Sequence, residues 1–125
     1  MILLDTDVAI DLLRGFPPDI AWLQGLGASV LGLPGLVVME LLQGCQNKAE
    51  QLKVERFCQP HPLFWPTQAD CQRGLADYVT FHLSHGVGLL DVLIGHAAIG
   101  LNESLATFNV RHYQVIAGLT TMQPY

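Results

Sequence analysis

Met1-Ile2-Leu3-Leu4-Asp5-Thr6-Asp7-Val8 is the stretch on which the reading of the whole chain turns. Ile2-Leu3-Leu4 is a short apolar run that stops abruptly at an acid. A helix-like segment, Val8-Ala9-Ile10-Asp11-Leu12-Leu13-Arg14-Gly15, follows at once. A buried strand that feeds a helix is the opening unit of an α/β sheet. In open sheets of this kind, ligands sit beyond the carboxyl ends of the strands. Asp5 and Asp7 therefore stand where a site is expected.

Further along, short apolar runs keep alternating with helical patterns, in the order β-α-α-β-α-α-β-α-α-β. Pro17-Pro18-Asp19 starts a second helix that runs to about Leu26, and Ala28 to Leu33 reads as a strand. Pro34 opens a helix from Gly35 to Gln43, with Gly44 as its cap. A more polar helix spans Lys48 to Phe57, and Leu63-Phe64-Trp65 is a brief strand closed by Pro66. Thr67-Gln68-Ala69-Asp70 has the form of a capping box. In the helix it opens, Leu75, Val79 and Leu83 recur at four-residue spacing. Gly86-Val87-Gly88 breaks that helix before another from Leu89 to Leu101. Leu105 to Phe108 reads as a strand, and the tail to Met122 can add an edge strand. The expected architecture is a single domain over residues 1–125, a twisted and mostly parallel sheet of four or five strands with helices on both faces.

Composition narrows the function classes. Half of the 125 residues are hydrophobic and 14% are charged, below the roughly 25% charged of an average domain. Disorder is excluded. Six Lys and Arg face eleven Asp and Glu, a formal charge of −5, so a nonspecific basic nucleic-acid surface is excluded as well. Cys45, Cys58 and Cys71 form no CxxC pair and read as free thiols. With no signal-peptide pattern and no apolar stretch long enough to span a bilayer, a soluble, cytoplasmic protein is expected. The apolar surplus at Leu12, Leu13, Trp22, Leu26 and Leu42 fits either partner surfaces or interior packing.

In so weakly charged a chain, isolated acids are informative. Glu40 is the only charged residue between Asp19 and Lys48, and Asp91 the only one between Asp77 and Glu103. Asp5 ends an all-apolar strand. Buried carboxylates are costly unless paired or metal-bound, and basic partners are scarce. If the three converge unpaired, each close pair repels by about 4 kcal/mol at 4 Å with an effective dielectric of 20. A shared divalent cation resolves that conflict, and all-oxygen ligation selects Mg²⁺ or Mn²⁺. Local alternatives stand beside this reading. Asp91 could cap the helix it opens, Glu40 could lie on a surface face, and Asp5 could be a turn former that caps the first helix with Thr6. Asp7 suits a supporting role at a helix N-terminus.

The series Leu4-Asp5-Thr6-Asp7-Val8, Val38-Met39-Glu40-Leu41-Leu42-Gln43-Gly44, Leu90-Asp91-Val92-Leu93-Ile94-Gly95-His96-Ala97 and Leu105-Ala106-Thr107-Phe108-Asn109-Val110-Arg111-His112-Tyr113 resembles the PIN domain family, most closely its small VapC-type toxins. The resemblance runs the length of the chain. It implies a metal-dependent endoribonuclease in which Asp5, Glu40 and Asp91 hold Mg²⁺ or Mn²⁺ and cleavage leaves a 5′-phosphate and a 3′-hydroxyl. Asn109 falls where many relatives carry a fourth acid, and Thr107 could orient a ligand or a water. The implied partners are an RNA substrate, a second subunit in a homodimer and an antitoxin that blocks the site. Arg14, Arg73 and Arg111 are candidates for phosphate contacts.

Two rivals remain. Asp5-Thr6-Asp7 also matches the Asp-x-Asp motif of haloacid-dehalogenase-like phosphatases, with Asp5 as nucleophile and Asp7 as acid/base. That family needs a lysine, and the only lysines, Lys48 and Lys53, lie in the polar helix. The other rival is a non-catalytic PIN-like RNA-binding module, which the uncharged Asn109 keeps open. His82-x-x-His85 has the spacing of a helical metal pair but lacks an evident third ligand.

Overall fold

The computed structural model describes residues 1–27 and 30–125. Its elements are β1 (Ile2–Leu4), α1 (Thr6–Leu13), α2 (Pro17–Gly25), β2 (Leu31–Pro34), α3 (Gly35–Gln43), α4 (Lys48–Cys58), β3 (Leu63–Phe64), α5 (Gln68–His85), α6 (Leu89–Leu101), β4 (Ser104–Ala106), α7 (Val110–Tyr113) and β5 (Thr121–Met122). The strands form one sheet in the order β3-β2-β1-β4-β5, and every pairing among the described residues is parallel. Leu3 pairs with Gly32 on one side and with Leu105 on the other. The chain thus builds outward from β1 through β2 and β3, then returns to add β4 and β5 on the opposite side. The crevice between β1 and β4 is the topological switch point.

Strand alternation divides the core into two layers. Leu3 and Leu105 point to one face, where they meet Val37, Val92, Ile94 and Tyr113. Leu4, Leu31, Leu33 and Ala106 point to the other, against Val8 and Leu12 of α1 and the α2 side chains Ile20 and Trp22. Gly32 sits where a Cβ would come within 2.8 Å of the Leu3 side chain and 2.9 Å of Phe64, so only the bare backbone lets these neighbours close over the sheet. Leu12, Leu13, Trp22, Leu26 and Leu42 all join these cores. Leu12 is buried, and the other four keep part of their apolar surface open.

Three sequence expectations shift. The strand expected from Ala28 to Leu33 is seen as Leu31–Pro34; Ala28 and Ser29 lie outside the described residues. Pro34 is its last residue and also the N-cap of α3, whose bounds Gly35–Gln43 are those expected. The strand expected from Leu105 to Phe108 ends at Ala106. Thr107 turns its hydroxyl to Asp5, and the Phe108 N–H is taken by Asp7 rather than by a neighbouring strand. The stripe Leu75, Val79 and Leu83 faces out, at 62%, 68% and 88% exposure. The core-facing side of α5 carries Gly74, Tyr78 and Phe81 instead. The α5 boundaries hold: Thr67 and Asp70 form the reciprocal capping box, and Gly86 ends the helix at φ +65°.

Candidate active site

Asp5 and Thr107 are the first residues beyond β1 and β4, on either side of the switch point. Asp5 is the N-cap of α1, and its Oδ1 accepts the Thr6 N–H at 2.8 Å. Its Oδ2 accepts the Thr107 hydroxyl at 2.8 Å, and that hydroxyl oxygen accepts the Asn109 N–H at 3.0 Å. The Thr6 hydroxyl reaches the other way and donates to Glu40 Oε1 at 2.9 Å, so one residue links the β1 acid to the α3 acid. Asp91 is the third residue of α6, whose N-cap is Gly88. A Cβ on Gly88 would lie 3.0 Å from Asp91 Oδ2, so the glycine leaves room for the carboxylate. The Tyr113 hydroxyl donates to Asp91 Oδ1 at 3.4 Å, and His112 Nδ1 lies 3.6 Å from Oδ2. The local helix-capping alternative therefore holds for Asp5, alongside its long-range bond, and does not hold for Asp91.

The electrostatics tie the three acids together. Burial raises the Asp5 carboxyl above its ordinary range against the bonds from Thr107, Thr6 and Tyr113, and the Asp91 charge raises it further. Glu40 is raised chiefly by burial, then by the charges of Asp5 and Asp91, against the bond from Thr6. Burial, followed by the carboxylates of Asp5 and Asp91, pushes the Tyr113 phenol well above its usual value, so it remains a donor. Among the described residues, no Lys or Arg forms an ion pair with any of the three acids; the His112 imidazole lies 3.6 Å from Asp91 Oδ2. Carboxylate oxygens under mutual repulsion are hard donors whose chemistry fits Mg²⁺ or Mn²⁺. Among the described residues, no three Asp, Glu, His or Cys side chains are already gathered as a finished cage. The chemistry of these donors suits the ion.

Asp7 stands apart. Its Oδ1 accepts the Val8 N–H at 2.7 Å and its Oδ2 accepts the Phe108 N–H at 3.0 Å. Burial, then the Asp5 charge, pushes it up to about 6. It pins the turn after β4 to the start of α1. Asn109 is exposed and contributes its backbone N–H rather than its side chain.

The arginines are more scattered than the sequence suggested. Arg73 pairs with Asp70 in the α5 cap, and Asp70 packs against Gly100, nine residues and about 14 Å along α6 from Asp91. That removes Arg73 from the acids. Arg14 is exposed at the far end of α1, about 12 Å from the strand end. Arg111 is exposed in α7 next to His112, whose ring nitrogen lies 3.6 Å from Asp91. His82 stacks on Tyr78, and His85 meets Phe81 edge-on, so the His-x-x-His pair is packed into aromatic contacts and gathers no third ligand.

Two contributors, Thr6 and Tyr113, were not singled out from the sequence. A hydroxyl residue at the first helical position after a strand-end acid is a signal for Thr6. For Tyr113 the signal is a polar aromatic residue in a segment that otherwise closes the core. Glu40 borders a cleft of about 290 Å³ with Leu36, Met39, Gln43 and Leu90. A larger cavity of about 560 Å³, lined by Val38, Leu42, Leu52, Cys58 and Leu63, lies away from the three acids and is mostly apolar.

An all-parallel five-stranded sheet with an acid and a threonine hydroxyl bonded across its switch point defines an α/β domain with a polar strand-end site. The sequence profile of the PIN domain family matches residues 2–117, and the chain belongs to that family. Solved structures share the fold at low identity. A chain of VapBC-1 from nontypeable Haemophilus influenzae superposes with a TM-score of 0.81 at 23% identity, covering 99% of this chain and 98% of that one. A chain of VapBC2 from Rickettsia felis, bound to a DNA fragment from its promoter, gives 0.80 at 23% identity over 98% of both chains. A toxin–antitoxin complex from Klebsiella pneumoniae gives 0.79 at 20% identity, over 100% of this chain and 98% of that one. No curated protein matches the sequence significantly.

Proposed function

We propose that this PIN domain is a Mg²⁺- or Mn²⁺-dependent endoribonuclease, working in the cytoplasm as the toxin of a toxin–antitoxin pair. The observation that carries the reading is the buried Asp5 at the switch point, bonded by Thr107 and joined through Thr6 to Glu40, with the Asp91 charge acting on both and, among the described residues, no Lys or Arg in an ion pair with any of the three. A divalent ion bound there would lower the pKa of a water and stabilise charge on the scissile phosphate. Asp5, Glu40 and Asp91 would hold it. Thr107 and Thr6 fix the carboxylate orientations, and Arg111 and His112 flank the site as phosphate contacts. Cation binding also offsets the negative field that would otherwise repel RNA.

The partner proposals rest on separate observations. Several structures sharing the fold are two-protein complexes, one of them described as a toxin with its antitoxin, which supports an antitoxin partner here. The exposed α5 stripe of Leu75, Val79 and Leu83 supports a homodimer. The phosphatase alternative loses support because both Asp7 oxygens are bound by backbone N–H groups, leaving no free acid/base at that position.

The test is RNA cleavage by purified protein with Mg²⁺ or Mn²⁺, before and after chelation, together with growth on expression. Chelator-sensitive cutting and growth arrest relieved by a co-expressed neighbouring gene would support the proposal. Folded protein that binds RNA but never cuts it would favour the non-catalytic module.

A further inference from the structure

We propose that the Tyr113 hydroxyl is a positioning group that orients the Asp91 carboxylate for the divalent ion; the inference rests on the metal-site reading above. Tyr113 is 1% exposed, and its ring packs in the core. For packing alone a phenylalanine would serve, since a buried hydroxyl costs free energy unless it is bonded. Here the hydroxyl is spent on the acids. It is the one hydrogen-bond donor that the described residues offer to the Asp91 side chain. Its 3.4 Å reach is long for an O–H···O bond. That donor sets one oxygen of Asp91 where, among the described residues, no Lys or Arg forms an ion pair with the acid.

The hydroxyl is itself held in place. It sits on the single turn of α7, which is tied to the strand ends by Thr107 on Asp5 and by the Phe108 N–H on Asp7. Beneath it, a Cβ on Gly95 would stand 2.9 Å from Ile116 and 3.7 Å from the Tyr113 ring. The glycine lets α6 close on Ile116, in the segment that follows α7.

Groups that orient metal ligands are typically worth 10–100-fold in metal affinity. Mn²⁺ alone, titrated calorimetrically into wild type, Tyr113→Phe and Asp91→Asn, tests the role, with thermal melts as the folding control. The expected result is 10–100-fold weaker Mn²⁺ binding by Tyr113→Phe with the melt preserved. Unchanged affinity in Tyr113→Phe, alongside lost binding in Asp91→Asn, overturns this inference and leaves the metal site standing. No binding by wild type overturns both. If Tyr113→Phe does not fold, Tyr113→3-fluorotyrosine replaces it. A Mg²⁺-dependent shift of its fluorine resonance supports the role, and a resonance that ignores Mg²⁺ overturns it.

Discussion

The Thr107 hydroxyl and the Asp5 carboxylate meet at 2.8 Å across 102 residues of sequence. Both groups are buried, Thr107 fully and Asp5 nearly so. Their bond closes the crevice between β1 and β4 and sets one oxygen of the acid. Thr107→Val keeps the shape but strands Asp5 Oδ2 and the Asn109 N–H. The expected cost is about 1–3 kcal/mol of stability, read as a lower urea midpoint, with most of it restored in Thr107→Ser. A midpoint unchanged in Thr107→Val would show that the bond does not hold the crevice.

Asp7 is assigned to the scaffold, since both of its oxygens bind backbone N–H groups. Asp7→Asn retains one acceptor and is expected to cut RNA within about tenfold of wild type while melting earlier. A site using Asp7 as acid/base would instead lose turnover with the melt unchanged. Comparing the RNA cleavage rate with the melting temperature separates the two.

Asp19 supplies a pH dependence. It is fully buried, and neither oxygen has a hydrogen-bond partner. Pro17 and Pro18 precede it in α2, so the first turn lacks two N–H groups that could have served it. Burial, then the charges of Asp11 and Asp7, raises it from 3.8 to about 6. The folded state therefore binds the proton more tightly than the unfolded chain, and this contribution to stability falls as pH rises from about 4 to about 6. The interval is worth about 3 kcal/mol. With chelator present, Asp19→Asn should gain on wild type by that order between pH 4.5 and 7. A stability difference that stays constant with pH would contradict the assignment.

The α5 stripe is surface, so charging it should leave the monomer intact. Val79→Arg with Leu83→Arg is expected to change stability by about 0.5 kcal/mol or less per site and to convert a dimer to a monomer in light scattering. A dimer that survives both substitutions places the interface elsewhere.

Much of this was legible in the sequence because the signals were local. Ile2-Leu3-Leu4 against Asp5, the Thr67–Asp70 capping box and the Gly86 break each fix a boundary through neighbouring residues. The isolation of Glu40 and Asp91 in apolar runs marked them before any fold was known, and Glu40 comes under the charges of Asp5 and Asp91. What stayed hidden depended on contacts distant in sequence. Leu75, Val79 and Leu83 have the spacing of a buried stripe, yet Gly74, Tyr78 and Phe81 face the core, with Leu93 and Val92 of α6 lying against Gly74. Tyr113 gave no sign of facing Asp91, 22 residues before it. Arg73 looked as free as Arg111 until Asp70 claimed it.

The most direct test of the central claim is single-turnover RNA cleavage at saturating Mg²⁺ by wild type and Asp5→Asn, with matched thermal melts. A metal ligand contributes several kcal/mol to such a step, and each 1.36 kcal/mol is tenfold in rate. The account requires chelator-sensitive cutting by wild type and a fall of about 100-fold or more in Asp5→Asn, with the fold intact. Equal rates in the two proteins, or cutting that persists without divalent metal, would contradict it.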